Sequence, residues 1–182
     1  MNGFEMNCAI ESAALFATGL LIWSLLEYAI HGWMGHRFRT FVTPMHQVHH
    51  RDPRRVFAIG AWLPVAGVIG FGLARWGLTP AMLVLSGVAV GFAGYEALHY
   101  RIHFRRPRGR LAEYLRTRHL IHHCRAPDRC FGVTSALWDR ALGTNLAGSE
   151  MHRLRPSVAD LPPLTGSSNL RAMLRRRVYS AS

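Results

Sequence analysis

Most of the 11 histidines in this 182-residue chain stand in four short motifs whose spacing is typical of metal ligands. In chain order the motifs are an HX4H, an HX2HH, an HX3H and a second HX2HH: His31 and His36; His46, His49 and His50; His99 and His103; His119, His122 and His123. Neutral imidazole binds Fe, Zn, Cu and Ni. These ten imidazoles could supply two metal ions with four or five nitrogens each, whereas a single zinc ion needs only three or four ligands. The sequence therefore predicts a di-metal site with all ten as candidate ligands.

Helical geometry explains three of the four spacings. Positions i, i+3 and i+4 share one face of an α-helix, so both HX2HH motifs and the HX3H motif each present their imidazoles in one direction. His31 and His36 are five residues apart, about 140° around an ideal α-helix. Gly32 and Gly35 lie between them and can loosen the turn. The pair therefore either reaches two different metal ions or is re-aimed where the helix ends.

Three acidic residues are candidates for orienting these histidines, because a ligating imidazole usually donates its other N–H to a carboxylate or a carbonyl. Glu27 lies one turn before His31, and Glu96 lies on the stripe of the HX3H motif. Asp139, after the last motif, is the third candidate. The alternative for the two glutamates is that their side chains extend to the lipid headgroups.

Three uncharged runs must position the motifs: residues 12–26, 56–74 and 76–95. A helix needs about 20 apolar residues to cross the hydrocarbon layer of a membrane, and the first run qualifies only if Glu27 is accepted near its end. Three buried helices of a soluble core are disfavoured, because so small a chain has too few polar helices to cover them. The sequence predicts an all-α integral membrane protein with about three transmembrane helices and a cytoplasmic helical cap that carries the di-metal site.

The charge distribution predicts the topology. The chain has 22 Lys+Arg against 10 Asp+Glu, and all the basic residues are arginines. With three spans, every arginine except Arg75 falls on one side, which the positive-inside rule identifies as cytoplasmic. We therefore expect the N-terminus outside, the histidines on the cytoplasmic side, and no nucleic-acid partner. The lack of lysine is typical of a GC-rich bacterial genome, which favours a bacterial inner membrane.

The four motifs and their flanks resemble the fatty acid hydroxylase / sterol desaturase superfamily of integral-membrane histidine-box enzymes. The resemblance covers residues 27–144. It includes Glu27 and the tyrosine that follows it, the HHRDP run at residues 49–53, and the closing segments 131–135 and 138–144. We expect residues 1–148 to form a membrane-embedded domain of this type and residues 149–182 to form a basic cytoplasmic tail.

This resemblance implies a non-haem di-iron oxidoreductase that uses O2 to hydroxylate an unactivated C–H bond of a fatty acyl chain or related lipid, with zinc able to occupy the sites in purified material. A carotenoid hydroxylase and a lipid or sterol-type desaturase are alternatives on the same scaffold, and a non-enzymatic membrane metal carrier is a further hypothesis. The implied partners are a membrane lipid substrate and a separate electron donor of ferredoxin or cytochrome type with its reductase. The oligomeric state stays open. Four aromatic residues either line the access of the lipid chain or form an interfacial belt: Trp33, Phe57, Tyr95 and Tyr100.

Overall fold

The computed structural model describes residues 3–55 and 59–157, and every regular element within these residues is helical. The elements are α1 (Gly3–Tyr28), π1 (Ala29–Arg37), α2 (Val42–Arg51), α3 (Ile59–Ala74), α4 (Leu78–Phe104), α5 (Arg110–Cys124), α6 (Leu137–Ala141) and α7 (Gly148–Arg153). Most of the predicted tail, residues 158–182, and the aromatic candidate Phe57 lie outside the described residues.

Helices α1 and α4 pack closely along their length, and glycines make the approach possible. Gly19 and Gly87 lie back to back: a Cβ added at Gly87 would come within 2.2 Å of the Phe16 carbonyl oxygen. One turn further along α4, a Cβ at Gly91 would lie 2.5 Å from the ring of Trp23. The Gly87–Gly91 pair is thus a small-xxx-small contact of the kind that brings membrane helices together.

Among residues 3–55 and 59–157, two stretches are long and apolar enough to cross a membrane. They are the continuous helix Gly3–Arg37, made of α1 and π1, and helix α4. Apolar side chains such as Ile10 and Val90 are exposed on their outer surfaces, as expected of helices that face lipid. These two stretches correspond to the first and third predicted spans.

The second predicted span stays a prediction. Helix α3 has 16 described residues, which correspond to about 24 Å of α-helix, less than the ~30 Å of a hydrocarbon core. The uncharged run that contains it begins at residue 56, and residues 56–58 lie outside the described part of the chain.

The core extends from the helix pair into the segments that follow it. Val42 of α2, Leu115 of α5 and Val133 of the α5–α6 loop are buried in one apolar cluster with Ile30 of π1 and Ile102 of α4. This cluster seats α2, α5 and the loop on the ends of the two long helices. All four histidine motifs lie at that end of the molecule, because each is carried by π1, α2, α5 or the last turns of α4.

Candidate metal centre

The π1 helix brings the two histidines of the HX4H motif to the same side. In a π-helix the hydrogen bond runs from residue i to residue i+5, so His31 and His36 lie one above the other instead of about 140° apart. The wide turn ends where the Phe38 N–H donates to the Trp33 carbonyl at 2.7 Å. The structure places both histidines in one group of candidate ligands, through a π-helix that neither sequence-based alternative for this pair included.

Glycine is required inside π1 because other rings press against its backbone. A Cβ added at Gly32 would lie 2.7 Å from the ring of Phe131, and one at Gly35 would lie 3.0 Å from the imidazole of His46. The two glycines therefore open room for Phe131 and His46 to reach the space between His31 and His36.

Each HX2HH motif divides its imidazoles between two neighbouring positions. On α2, His46 and His50 point to one position and His49 to the other. Helix α5 does the reverse, with His122 alone at the first position and two histidines at the second. The i, i+3, i+4 spacing correctly predicts a shared helix face, but that face lies between two sites and supplies both.

The result is two groups of five imidazoles, and in each group the ligand atoms lie within 4.8 Å of one another. We call the first the π1 cluster; its members are His31, His36, His46, His50 and His122. We call the second the α4 cluster; its members are His49, His99, His103, His119 and His123. All ten histidines of the sequence motifs are thus brought together, and each cluster takes two imidazoles from one long helix, two from one HX2HH and one from the other HX2HH.

In the π1 cluster the Nε2 atoms converge on a common point. The Nε2–Nε2 distances are 2.7 Å between His36 and His46, 2.9 Å between His46 and His50, and 3.0 Å between His31 and His122. Two nitrogens that each lie about 2.1 Å from one cation, at roughly a right angle, are about 3.0 Å apart. The donor set and its spacing therefore fit a metal ion.

The α4 cluster has the same character and is more deeply buried. The Nε2 atom of His119 lies 3.0 Å from that of His99 and 3.0 Å from that of His103. Both ring nitrogens of His123 are buried without a hydrogen-bond partner among the described residues. Buried polar atoms are nearly always satisfied, so these nitrogens also fit a site that takes up a cation.

The two clusters lie side by side. The rings of His50 and His123, one from each cluster, are stacked with their centroids 4.1 Å apart. His31 and His119 are 6.0 Å apart by the same measure. Two ions held by the clusters would therefore share one pocket of imidazoles, as the sequence predicts for a di-metal centre.

Burial keeps these imidazoles in the neutral form that binds metal. It lowers the pKa of His49 from 6.5 to about 4 and the pKa of His50 from 6.5 to about 3. Burial also lowers the pKa of His122 and His123 well below 6.5, and neighbouring imidazoles lower it further. Positive charge on one protonated ring would oppose protonation of its neighbours. Each neutral ring instead offers a nitrogen lone pair to a metal cation.

The family of the chain follows from these motifs and their surroundings. Residues 16–144, which include all four motifs, match the fatty acid hydroxylase family. The chain belongs to the fatty acid hydroxylase family.

Relatives of this hydroxylase-family chain are named as fatty acyl and fatty acid 2-hydroxylases. A dihydroceramide fatty acyl 2-hydroxylase of Arabidopsis thaliana is 32% identical over an alignment of 143 residues that covers 71% of this chain and 60% of the relative. A fatty acid 2-hydroxylase of Homo sapiens is 32% identical over an alignment of 149 residues that covers 71% of this chain and 39% of that protein. The chain therefore spans less than two thirds of the length of these relatives.

A solved structure shares the fold. In the structure of full-length scs7p only the hydroxylase domain is visible; it matches this chain with a TM-score of 0.67 and 26% identity, over 81% of this chain and 58% of the other. The overall fold of this chain is therefore shared with a protein whose hydroxylase domain has been solved.

Backbone carbonyls orient two of the imidazoles in the π1 cluster of this family member. The Nδ1–H of His31 donates to the Phe131 carbonyl at 2.6 Å, and the Nδ1–H of His122 donates to the Arg129 carbonyl at 2.8 Å. A carbonyl only accepts, so the proton is on Nδ1 and the lone pair on Nε2 faces the cluster. Both carbonyls belong to the loop between α5 and α6.

Asp139 holds this loop in place. Its carboxylate is fully buried, accepts the N–H groups of Phe131 and Gly132 at 2.8 Å each, and pairs with Arg118 at 2.6 Å. The Thr144 hydroxyl donates to the same carboxylate at 2.7 Å. The sequence-based candidate Asp139 therefore does not contact a histidine, but it fixes the peptides whose carbonyls do.

The two glutamates are placed differently from each other. Glu27 is buried, and its carboxylate accepts the N–H of Val133 at 2.5 Å and that of Thr134 at 2.8 Å. It thus binds the same loop, while His31, its predicted partner, donates to the Phe131 carbonyl. Glu96 is buried on α4 one turn before His99. Burial of both carboxylates favours positioning roles over extension to the headgroups.

A pocket of about 640 Å³ opens onto the π1 cluster at His36. Its wall is largely aromatic and includes an edge-to-face pair, Tyr28 and Trp33, with ring centroids 6.0 Å apart. The full lining is Tyr28, Trp33, His36, Arg37, Phe38, Asp128, Phe131, Leu142 and Thr144. Of the aromatic candidates from the sequence, Trp33 lines this pocket.

Tyr95 and Tyr100 lie elsewhere. Tyr95 is buried against Trp23 and His99, with ring centroids 5.7 and 5.2 Å away, and Tyr100 contacts Phe104 at 5.0 Å. Sequence reasoning missed Tyr28 and Phe131 as pocket residues. The signal was present for Tyr28, which directly follows the conspicuous Glu27, whereas the place of Phe131 depends on how the loop folds back over π1.

Proposed function

We propose that this protein is an O2-dependent lipid hydroxylase that adds a hydroxyl group to C2 of a fatty acyl chain. The observation that carries the proposal is the pair of adjacent five-histidine clusters with an aromatic pocket reaching one of them. The relatives support the choice of carbon, because they are named as fatty acyl and fatty acid 2-hydroxylases.

In this proposal each cluster holds one iron ion through neutral imidazoles, and zinc can take the same places in purified material. Bound there, iron would supply the reduction of O2 that puts one oxygen atom into the C–H bond and releases the other as water. The balance requires two electrons, which come from a separate electron-donor protein of ferredoxin or cytochrome type and its reductase, and two protons, which come from solvent. The substitution turns R–H into R–OH.

The chain's own residues hold the ligands in their binding form. The carbonyls of Arg129 and Phe131 keep the Nδ1 protons in place, so that the Nε2 lone pairs of His122 and His31 face inward. Asp139 and Glu27 act as positioning residues through the loop that carries these carbonyls. Glu96 is assigned the same role for the α4 cluster because of its burial and its place on the face of His99.

The pocket at His36 is the proposed acyl site. The rings of Tyr28, Trp33 and Phe131 give it an apolar wall, while Arg37, Asp128 and Thr144 add polar groups. Ligand pockets of this size are typically apolar with a few polar groups that fix orientation. A fatty acyl group bound there would bring C2, and with it the adjacent carbonyl, to the π1 cluster, while the rest of the chain would extend away along the apolar wall.

We also propose that the histidine clusters face the cytoplasm from a bacterial inner membrane, with the N-terminus outside. The support is the arginine distribution of the sequence together with the two candidate membrane helices. Both helices carry histidines at their C-terminal ends, so this topology also requires the predicted span at residues 56–74 to bring the chain back across the membrane. A basic cytoplasmic face suits an acidic electron donor, since complementary charge speeds encounter.

Lipid mass spectrometry tests the function. Cells that make the protein are compared with cells that make a His49→Ala/His122→Ala variant, both grown under isotopically heavy O2. A lipid that gains one labelled oxygen on its acyl chain, only with the parent protein, is expected, and fragmentation then locates the carbon. A product that loses two hydrogens without gaining oxygen would assign a desaturase instead, and identical lipid profiles would refute the proposal.

A further inference from the structure

The connection between α4 and α5 forms a second concave site, which is built almost entirely of arginine. Its volume is about 480 Å³, and its lining is Arg101, Phe104, Arg105, Arg106 and Arg108. No acidic residue lines it, and none of the four guanidinium groups forms an ion pair within residues 3–55 and 59–157. The pocket therefore gathers positive charge that the described part of the chain does not neutralise.

The backbone under these arginines is held in shape. The buried guanidinium of Arg116 donates to the Arg105 carbonyl at 2.5 Å. Pro107 restricts Arg106 before it to extended conformations, and Gly109, with φ 86°, turns the chain into α5. Because this hydrogen bond and these backbone restrictions fix the connection, the side chains of Arg105, Arg106 and Arg108 line one pocket instead of spreading along a helix.

The pocket lies where a membrane surface would be. Phe104 is the last residue of the candidate membrane helix Leu78–Phe104, and its ring packs on Tyr100 with centroids 5.0 Å apart. Lipid phosphates lie at this depth, and arginine binds phosphate with two parallel N–H···O bonds. Basic pockets beside membrane helices are a recognised way to hold anionic headgroups.

We propose that Arg101, Arg105, Arg106 and Arg108 form a binding site for the phosphate headgroup of an anionic membrane phospholipid, separate from the acyl pocket at His36. A lipid fits better than an acidic protein partner, because the site is a small hollow at the end of a membrane helix. A specific protein interface needs about 800 Å² of surface on each partner.

Native mass spectrometry of the full chain in detergent tests this site. The probes are phosphatidylglycerol, phosphatidylcholine with the same acyl chains, and soluble glycerol phosphate. The test variant is Arg105→Gln/Arg106→Gln/Arg108→Gln. The control, Arg39→Gln/Arg140→Gln/Arg153→Gln, removes the same charge from exposed positions elsewhere. Metal content and helicity, measured on both variants, show whether each is folded.

The parent protein is expected to retain phosphatidylglycerol in preference to phosphatidylcholine. The pocket variant should bind phosphatidylglycerol about a hundredfold more weakly, because each of the three arginines removed contributes about 1 kcal/mol. The control variant should bind as the parent does. Equal losses in both variants would show that only overall charge matters and would overturn the proposal. The proposal would also be overturned if phosphatidylcholine were retained equally, if glycerol phosphate bound as tightly as the lipid, or if an acidic electron-donor protein bound at the pocket without any lipid. If the pocket variant does not fold, the single variants Arg106→Gln and Arg108→Gln take its place and are held to the same outcomes.

Discussion

Replacing Asp139 by asparagine tests how the α5–α6 loop holds the metal ligands. The carboxylate is fully buried and pairs with Arg118 at 2.6 Å, and it accepts two backbone N–H groups of the loop. Asp139→Asn leaves the guanidinium buried without its counter-charge, which costs about 3–5 kcal/mol of the free energy of unfolding. It also turns an amide donor toward groups that themselves donate.

The loss should fall unevenly on the two clusters. The loop carbonyls of Arg129 and Phe131 orient His122 and His31, and both histidines belong to the π1 cluster. The α4 cluster takes none of its members from this loop or from π1. We therefore expect elemental analysis of the purified variant to fall from about two metal ions per chain to about one, together with a lower Tm.

Asp128→Asn is the matched control. Asp128 lies in the same loop, but its side chain is exposed and its oxygen is 3.8 Å from the Arg129 guanidinium, so both metal ions and the parent Tm should be kept. Because Asp128 also lines the pocket at His36, activity is not used as a readout of this control. A variant Asp139→Asn that keeps both metal ions and the parent Tm would refute the reasoning. Equal loss from both clusters, mapped by metal-edge diffraction, would show general destabilisation in place of selective positioning.

Three further predictions follow from the site. Gly32→Ala should lower Tm and metal content, because the new Cβ would lie 2.7 Å from a phenylalanine ring and overpacking costs about 1–3 kcal/mol. The control Gly94→Ala, where nothing lies within 4 Å of the new Cβ, should raise the free energy of unfolding by about 0.5–1 kcal/mol. A higher Tm for Gly32→Ala than for Gly94→Ala would contradict the packing seen in π1. Trp33→Ala should raise KM for the acyl substrate while metal content stays at the parent level, because Trp33 lines the pocket without contributing a ligand; a loss of metal with unchanged KM would place this residue in the metal site. Removing the metal with a chelator should lower Tm and adding iron back should restore it, since a ligand that binds only the folded state stabilises that state. A Tm that the chelator does not change would show that metal binding at the clusters does not stabilise the fold.

The sequence predicts which histidines come together better than how they divide into two clusters. Imidazoles at i, i+3 and i+4 share a helix face by geometry alone, so a histidine-rich centre carried by α2, α4 and α5 was predictable. Spacing within one helix does not show that His49 belongs to a different cluster from His46 and His50. That division depends on where the neighbouring helices place their own rings.

Two features depended on contacts that local pattern does not reveal. An HX4H motif on an α-helix would separate its histidines, and the glycines between them only hinted at the π-helix that brings them together. The partner of His31 was expected to be Glu27, one turn away, but it is the Phe131 carbonyl, 100 positions along the chain.

The three-span expectation rests on an uncharged run, residues 56–74, that the described part of α3 covers only in part.

Iron-edge anomalous diffraction from crystals of the iron-loaded protein tests the central claim most directly, because it places each ion without reference to activity. Two peaks are predicted, one among the Nε2 atoms of the π1 cluster and one among the imidazoles of the α4 cluster. A single peak, or peaks outside both groups of five histidines, would contradict the account.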